Sequence, residues 1–342
     1  MSGPSGPHFG PVVDLHTHVL PAFLSRLADS GGRRYGMGFD RNDDGRLVFE
    51  IGGRWAPLLQ GSVYDETPDQ RVTRMDRMRI DVQVLSLSPS MHLHGLDGAA
   101  GTALSRDTND AISEMVERHP TRFRGLAFLP LQEPRSAVAE LERVMASPAF
   151  VGAMVSTHVE GMDWDDPRLE PVLEAAESLG ALVFIHPAAV RASALLSRYH
   201  LRNLVGNPLE TTVAVASLVF GGVLDRHPEL AVCLAHGGGY VCWGAGRLDH
   251  GSRVRAEAAV RSMPSQYLRR LYFDSLTHDE RALRYLIDKV GIERVVLGTD
   301  DPADMAQDDP VTWLEGSSSI LPEERRAILG ANLSRLLGDR LP

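Results

Sequence analysis

The chain is almost without lysine: Lys289 is the only lysine among 35 Lys and Arg residues. A Schiff-base lysine, a phosphate-binding P-loop lysine or a lysine carbamate that bridges two metal ions would have to be this residue. Lys289 precedes the last predicted strand, so in a parallel barrel it belongs to the face opposite the catalytic face. None of these three lysine chemistries is therefore expected, and a one-metal site is favoured over a carbamate-bridged pair.

Cysteine and long apolar runs are also scarce. Cys233 and Cys242 have no CxxC spacing, which is typical of free thiols in a reducing compartment. No run approaches the roughly 18–20 apolar residues of a membrane span. The Gly/Pro/Ser-rich start, residues 1–10, lacks the features of a secretory signal and predicts a flexible tail. A net charge of −10 disfavours nucleic acid and anionic membranes as partners. We therefore expect a cytoplasmic protein.

Short apolar runs alternate with segments of helical period along the chain. The predicted strands are Val12–Leu15, Val82–Leu87, Gly125–Leu131, Val151–Ser156, Ala181–Ile185, Leu230–Ala235, Leu271–Asp274 and Arg294–Gly298. Strand alternating with helix eight times predicts an α/β fold, a (β/α)8 TIM barrel, over residues 11–342 as a single domain. Residues 21–64 form a long insertion after strand 1, which includes a possible hairpin, Arg46–Trp55, around Gly52 and Gly53. Loops this long are usually either functional or disordered; because this one follows a strand at the catalytic end of the barrel, we expect it over the active site.

Histidine and aspartate collect where the predicted strands end. His16 and His18 follow strand one with the i, i+2 spacing that aims two side chains the same way, His186 ends strand five, and Asp300 ends strand eight. Because the active site of such a barrel lies at the carboxyl ends of its strands, these side chains are expected to meet. Three imidazole nitrogens and one carboxylate suit one Zn²⁺ or another borderline divalent ion, with Mn²⁺ also possible. His236, which ends strand six, is then free as general acid or base.

Other polar residues leave alternatives open. Glu160 could bridge two metal ions with His236 as a ligand, a less favoured hypothesis. His158 is either a support for the site or a satisfied core residue, and Asp301 is either a helix cap or such a support. His92 and His94 on a loop and His119 and His227 as helix caps are interpreted as surface residues, and His278 is expected at a helix start.

Arginine supplies the expected anion-binding groups. Arg54 lies in the long insertion, and Arg247 and Arg255 follow the glycines after His236. Guanidinium groups near a metal ion favour a substrate with carboxylates. The alternative for any single arginine is a solvated surface residue.

Several motifs together resemble a known family. They are Asp-Leu-His-Thr-His at 14–18, Asp-Val-Gln-Val at 81–84, Phe-Ile-His-Pro at 184–187, Pro-Leu-Glu-Thr-Thr at 208–212, Ala-His-Gly-Gly-Gly at 235–239, Leu-Gly-Thr-Asp at 297–300 and Gly-Ala-Asn at 330–332. The chain resembles the amidohydrolase superfamily and, within it, the decarboxylase branch, with its nearest likeness in the α-amino-β-carboxymuconate-ε-semialdehyde decarboxylases.

The resemblance implies roles for individual residues. It implies His16, His18, His186 and Asp300 as zinc ligands and His236 as the catalytic histidine. It implies Arg54 and Arg247 as groups that bind the substrate carboxylate, with Arg247 reaching in from the neighbouring subunit of a homodimer. The chain departs from the family at 188–189 and 301–304, where alanines and an extra aspartate replace aromatic residues, so a different substrate is expected.

These observations predict a metal-dependent, non-oxidative decarboxylase of an unsaturated or aromatic carboxylic acid that needs no organic cofactor. The runner-up is a hydrolase of a lactone, amide or imine, or a hydratase, at the same site. A more remote alternative is a metal-binding barrel without turnover.

Overall fold

The computed structural model describes residues 10–57 and 66–342. Most of the predicted tail and residues 58–64 of the predicted insertion lie outside these described residues. The strands are β1 (Val13–Val19), β2 (Arg33–Arg34), β3 (Met37–Arg41), β4 (Leu47–Ile51), β5 (Arg54–Pro57), β6 (Val82–Leu87), β7 (Phe123–Ala127), β8 (Phe150–Ser156), β9 (Leu182–His186), β10 (Val232–Leu234), β11 (Tyr272–Asp274) and β12 (Val295–Val296).

Helices separate the strands of the large sheet. They are α1 (Ala22–Asp29), α2 (Pro68–Met78), α3 (Gly98–Arg118), α4 (Pro134–Met145), α5 (Glu170–Ser178), α6 (Asn207–Phe220), α7 (Val223–Arg226), α8 (Val241–Val254), α9 (Pro264–Leu268), α10 (Glu280–Val290), α11 (Pro310–Gly316), α12 (Pro322–Arg326) and α13 (Asn332–Leu337). Thr67 begins α2 with a capping box and a proline in the first turn. None of the helices within the described residues has the length and hydropathy needed to cross a membrane.

Eight strands form one parallel sheet in the order β1-β6-β7-β8-β9-β10-β11-β12. The backbone N–H of Leu15 donates to the carbonyl of Leu297 at 3.0 Å, and that of His18 donates to the carbonyl of Asp301 at 2.7 Å. These bonds join the first strand to the chain around the last one, so the sheet curls as in a TIM-like barrel. Every residue of β1, β6, β8 and β9 is buried, as expected for parallel strands covered on both faces.

A small antiparallel sheet, β2-β3-β4-β5, follows α1. The predicted hairpin is confirmed: Ile51 pairs with Arg54, and Gly52 and Gly53 connect β4 to β5 with φ of 58° and 79°. Two consecutive positive φ angles suit glycine, which has no Cβ to clash. The buried apolar residues of α1, β3 and β4 pack with Leu87 and Phe128, next to the carboxyl ends of β6 and β7. That residues 21–64 cover the active site stays a prediction.

Candidate metal centre and active site

Four predicted metal-ligating residues lie together at the carboxyl ends of the barrel strands. His16 and His18 lie within β1, which runs to Val19 rather than ending at Leu15 as predicted. His186 is the last residue of β9, and Asp300 follows β12. All four are buried, and one potential ligand atom from each lies within 4.8 Å of the other three. Strand register, rather than proximity in sequence, produces this convergence.

The hydrogen bonds around these side chains leave ligand atoms free at the centre. His16 uses its Nδ1–H to donate to Asp274 Oδ2 at 2.6 Å, and His18 Nδ1 lies 3.0 Å from Ser86 Oγ. Nε2 of both histidines is buried without a hydrogen-bond partner, as are both ring nitrogens of His186. Asp300 Oδ1 lies 3.2 Å from His16 Nε2 and 2.9 Å from His18 Nε2.

This arrangement fits a divalent metal ion. A buried polar atom without a partner costs about 1–3 kcal/mol, and here several such nitrogens surround one carboxylate. A cation between them would pair with one ring nitrogen of each histidine. Three nitrogens and one oxygen are a ligand set for Zn²⁺ and for other borderline divalent ions.

The charges of the four residues suit the same ion. Burial lowers the pKa of His18 and of His186, so both imidazoles are neutral and able to ligate. Burial alone would raise the pKa of Asp300, but the neighbouring histidines outweigh it and hold that pKa well below its usual range. Burial opposes charge on His16, yet Asp300 and Asp274 raise the pKa of His16 to about 10. The two buried carboxylates thus favour a positive charge at the centre: without an ion this is the second proton of His16, which a bound metal ion would replace.

Asp274 is a site residue that was not predicted from the sequence. It is the last residue of β11 and is fully buried. Besides the bond from His16, Asp274 accepts backbone hydrogen bonds from His236 at 2.9 Å, Gly237 at 2.7 Å and Leu276 at 3.2 Å. One carboxylate therefore holds a predicted ligand in the tautomer that frees Nε2 and also fixes the loop that carries His236. Its position at a strand end was the available signal.

His236 projects beside the four residues from the loop after β10. Its ring centroid lies 5.1 Å from that of His16 and 5.0 Å from that of His186, and its Nε2 lies 3.6 Å from Asp300 Oδ2. Its side chain is 19% exposed, more than those of the four predicted ligands. The turn requires Gly239, because a Cβ there would lie 2.2 Å from the carbonyl oxygen of Pro208. His236 is thus held next to the centre but open on one side.

A cavity of about 640 Å³ opens from His236 and Asp300. Its walls are largely apolar and aromatic, and include Trp243 from α8 and Tyr285 from α10, whose ring centroids are 5.6 Å apart. This volume and this lining are typical of pockets for small organic ligands.

The predicted anion-binding arginines do not line this cavity. Arg54 on β5, Arg247 on α8 and Arg255 are all exposed, and none has an ion pair or hydrogen bond from its side chain to another described residue. Their predicted roles stay predictions.

Asp301 supports the segment that carries Asp300, one of its two expected roles. It accepts hydrogen bonds from the buried Arg71 at 3.2 Å and Gln83 at 3.1 Å, and it pairs with Arg74. Arg71 also donates to the carbonyl of His18 at 2.9 Å. These bonds tie α2 to both ends of the curled sheet beside the centre.

Three histidine predictions were wrong. His92 and His94 are buried rather than on the surface: both flank Ser156 Oγ, at 3.4 Å and 3.1 Å, and they pack against Phe128. His227 caps α7 as predicted, but it is buried rather than on the surface and lies between two carboxylates, each 3.0 Å away. A loop position suggested exposure for His92 and His94, and a helix end suggested it for His227, but long-range packing covers all three.

The other polar residues considered in the sequence differ in their positions. His158 is buried with no hydrogen bond to either ring nitrogen, and its Nε2 lies 3.9 Å from Glu210. Glu160 is exposed and is not among the four residues that converge. His119 caps α3, as predicted.

Comparisons with known proteins agree with this geometry. The model of the amidohydrolase family matches residues 13–338. A 2-amino-3-carboxymuconate-6-semialdehyde decarboxylase of Dictyostelium discoideum is 35% identical over 329 residues, which are 95% of this chain and 91% of the relative. The crystal structure of 5-carboxyvanillate decarboxylase from Sphingomonas paucimobilis matches with a TM-score of 0.79 and 25% identity, covering 96% of this chain and 98% of that one.

A dihydroxybenzoic acid decarboxylase from Polaromonas sp., solved with bound manganese and the inhibitor 2-nitroresorcinol, shares the fold. Its TM-score is 0.78 at 23% identity, and the match covers 96% of this chain and 97% of that one. Nearly the whole chain is therefore accounted for by one family model, and the chain belongs to the amidohydrolase family.

Proposed function

We propose that this protein is a metal-dependent, non-oxidative decarboxylase of an unsaturated or aromatic carboxylic acid. The observation that carries the proposal is the convergence of His16, His18, His186 and Asp300 beside His236, whose side chain is partly exposed. The Dictyostelium relative and the Sphingomonas protein of similar structure are both named as decarboxylases.

In this proposal His16, His18, His186 and Asp300 hold one divalent ion per chain. Zn²⁺ fits the three nitrogens and one oxygen, and Mn²⁺ is the alternative that the Polaromonas structure supports. The ion, when bound, supplies a Lewis acid that polarises an oxygen of the substrate.

The chain's own residues do the rest. Trp243 and Tyr285 stack against the conjugated part of the substrate and exclude water from that wall of the cavity. When the carbon–carbon bond to the carboxylate breaks, CO₂ leaves and the electron pair stays on the substrate carbon, where conjugation spreads the charge. His236 then delivers a proton to that carbon, and its ring exchanges the proton with solvent through its exposed side. No organic cofactor is required for this balance.

The proposal extends to the arginines and to assembly. Arg54 and Arg247 orient the substrate carboxylate, with Arg247 supplied by the neighbouring chain of a homodimer. Its support is the position of exposed Arg247 on α8, the helix that also carries Trp243 of the cavity wall. Trp243 is 80% exposed in the single chain, which suits a helix covered by a second copy. A cytoplasmic location is part of the same proposal.

Product analysis tests the function. Purified, metal-loaded protein is incubated with a panel of hydroxylated aromatic and unsaturated acids, and headspace CO₂ and product mass are measured. We expect CO₂ and a product lighter by that mass, lost in His236→Ala, which keeps its metal. A product heavier by one water would instead indicate hydrolysis or hydration, and stoichiometric binding without any product would indicate a barrel without turnover.

A further inference from the structure

One cationic side chain lines the cavity that opens from His236 and Asp300. Arg281 lies in the first turn of α10, is exposed, and contributes to the cavity wall. No other Arg or Lys is among the described residues that line this cavity. Of the many arginines in the chain, Arg281 therefore has the position from which a bound molecule can be reached.

The guanidinium of Arg281 makes no hydrogen bond or ion pair with any residue of 10–57 or 66–342. The neighbouring carboxylate, Asp279, is engaged elsewhere: its Oδ1 accepts from the backbone N–H groups of Arg281 and Ala282 at 2.9 and 2.8 Å. By contrast, Arg284 one turn later pairs with Asp288 and Glu324 at 2.8 and 2.7 Å. The structure thus holds Arg284 in a network and leaves Arg281 available.

The other residues that line the cavity indicate where the anionic groups of a ligand can bind. Among the described residues, the one carboxylate that lines the cavity is Asp300, which belongs to the proposed metal centre, and the apolar lining includes Leu276, Leu286 and Tyr285. A molecule inside would meet a positive charge at the metal, an apolar wall, and a second positive charge at Arg281. This pattern matches an acid with anionic groups at two places on a flat apolar frame.

We propose that Arg281 binds a second carboxylate of the substrate, so the substrate is an unsaturated or aromatic dicarboxylic acid. This inference rests on the proposed function, since it names the substrate class of the same site. It differs from the roles of Arg54 and Arg247, because Arg281 acts from within the chain that holds the metal and on the carboxylate that is retained. Loss of Arg281 would therefore relax selectivity without removing the proton donor.

Calorimetric titration of the metal-loaded full chain with two probes tests this. Benzene-1,3-dicarboxylate should bind at least about tenfold more tightly than benzoate, the scale of one partly solvated charge-assisted contact. Arg281→Gln should abolish that difference while leaving the Kd of benzoate unchanged, and Arg281→Lys should keep part of it. Arg77→Gln, which removes an exposed helical arginine outside the cavity, is the matched control and should behave as wild type.

Three results would overturn the inference. They are equal affinity of the wild type for the two probes, full retention of dicarboxylate selectivity in Arg281→Gln, or an equal loss of affinity for both probes in that variant. Because the titration needs no turnover, it separates this inference from the proposed function: a chain that selects the dicarboxylate through Arg281 but releases no CO₂ from any acid would refute only the decarboxylase.

Discussion

Replacing Asp274 with asparagine should damage metal binding although the residue is no predicted ligand. The carboxylate accepts four hydrogen bonds: Oδ2 takes those of His16 Nδ1–H and the His236 backbone, and Oδ1 takes those of the Gly237 and Leu276 backbones. An amide offers only one oxygen. Whichever way it is turned, an NH₂ group faces two groups that had an acceptor.

The two orientations have different consequences of similar size. If the NH₂ faces Gly237 and Leu276, two buried N–H groups lose their acceptor, at about 1–3 kcal/mol each. If it faces His16, the ring must accept at Nδ1 and carry its proton on Nε2, which removes the lone pair aimed at the centre. We therefore expect Asp274→Asn to weaken metal affinity about 10–100-fold and to lower the free energy of unfolding by a few kcal/mol.

Competition with a chromophoric chelator measures the affinity, and urea unfolding measures the stability. The control is Asp225→Asn. Asp225 accepts a hydrogen bond from the hydroxyl of Tyr267, and the amide oxygen of asparagine can accept the same bond. The control should keep wild-type metal affinity. Unchanged metal affinity in Asp274→Asn would show that this carboxylate does not set the His16 tautomer.

Further predictions concern assembly and pH. Arg247→Ala and His236→Ala should each be inactive alone, and mixing them should restore part of the activity after subunit exchange. The reason is that one of the two sites in the hybrid dimer would contain both an intact His236 and an intact Arg247. An inactive mixture whose subunits are shown to have exchanged would contradict a shared site. Burial lowers the pKa of His94 to about 4, so below pH 6.5 the unfolded chain takes up a proton that the folded chain refuses, and stability falls with pH. Between pH 7.5 and 5 the wild type should lose about 2 kcal/mol more free energy of unfolding than His94→Gln, with no such difference above pH 7. Parallel pH profiles in urea titrations would count against that pKa.

The sequence was most informative where chemistry coincides with strand ends. Because parallel strands must present their carboxyl ends on one side, the placement of His186 and Asp300 at the end of predicted strands was enough to bring them together without coordinates. The hairpin at Gly52 and Gly53 was equally local, since two adjacent glycines between alternating residues determine the turn.

What could not be predicted depends on packing between distant segments. Asp274 is 258 residues from His16 along the chain, and nothing in either neighbourhood indicates their contact. His92 and His94 were predicted on an exposed loop, but Phe128, just after β7, and Ser156, at the end of β8, pack against them. Arg281 is one arginine among many until the cavity singles it out.

Metal content per chain, measured by elemental analysis on the wild type, His186→Ala and His236→Ala, distinguishes a one-ion site with His236 as proton donor from a two-ion site with His236 as ligand. We expect about one ion per chain in the wild type, its loss in His186→Ala, and its retention in His236→Ala, in which catalysis alone is lost. About two ions per chain, or loss of metal from His236→Ala, would contradict it, because His236 would then be a ligand rather than the proton donor.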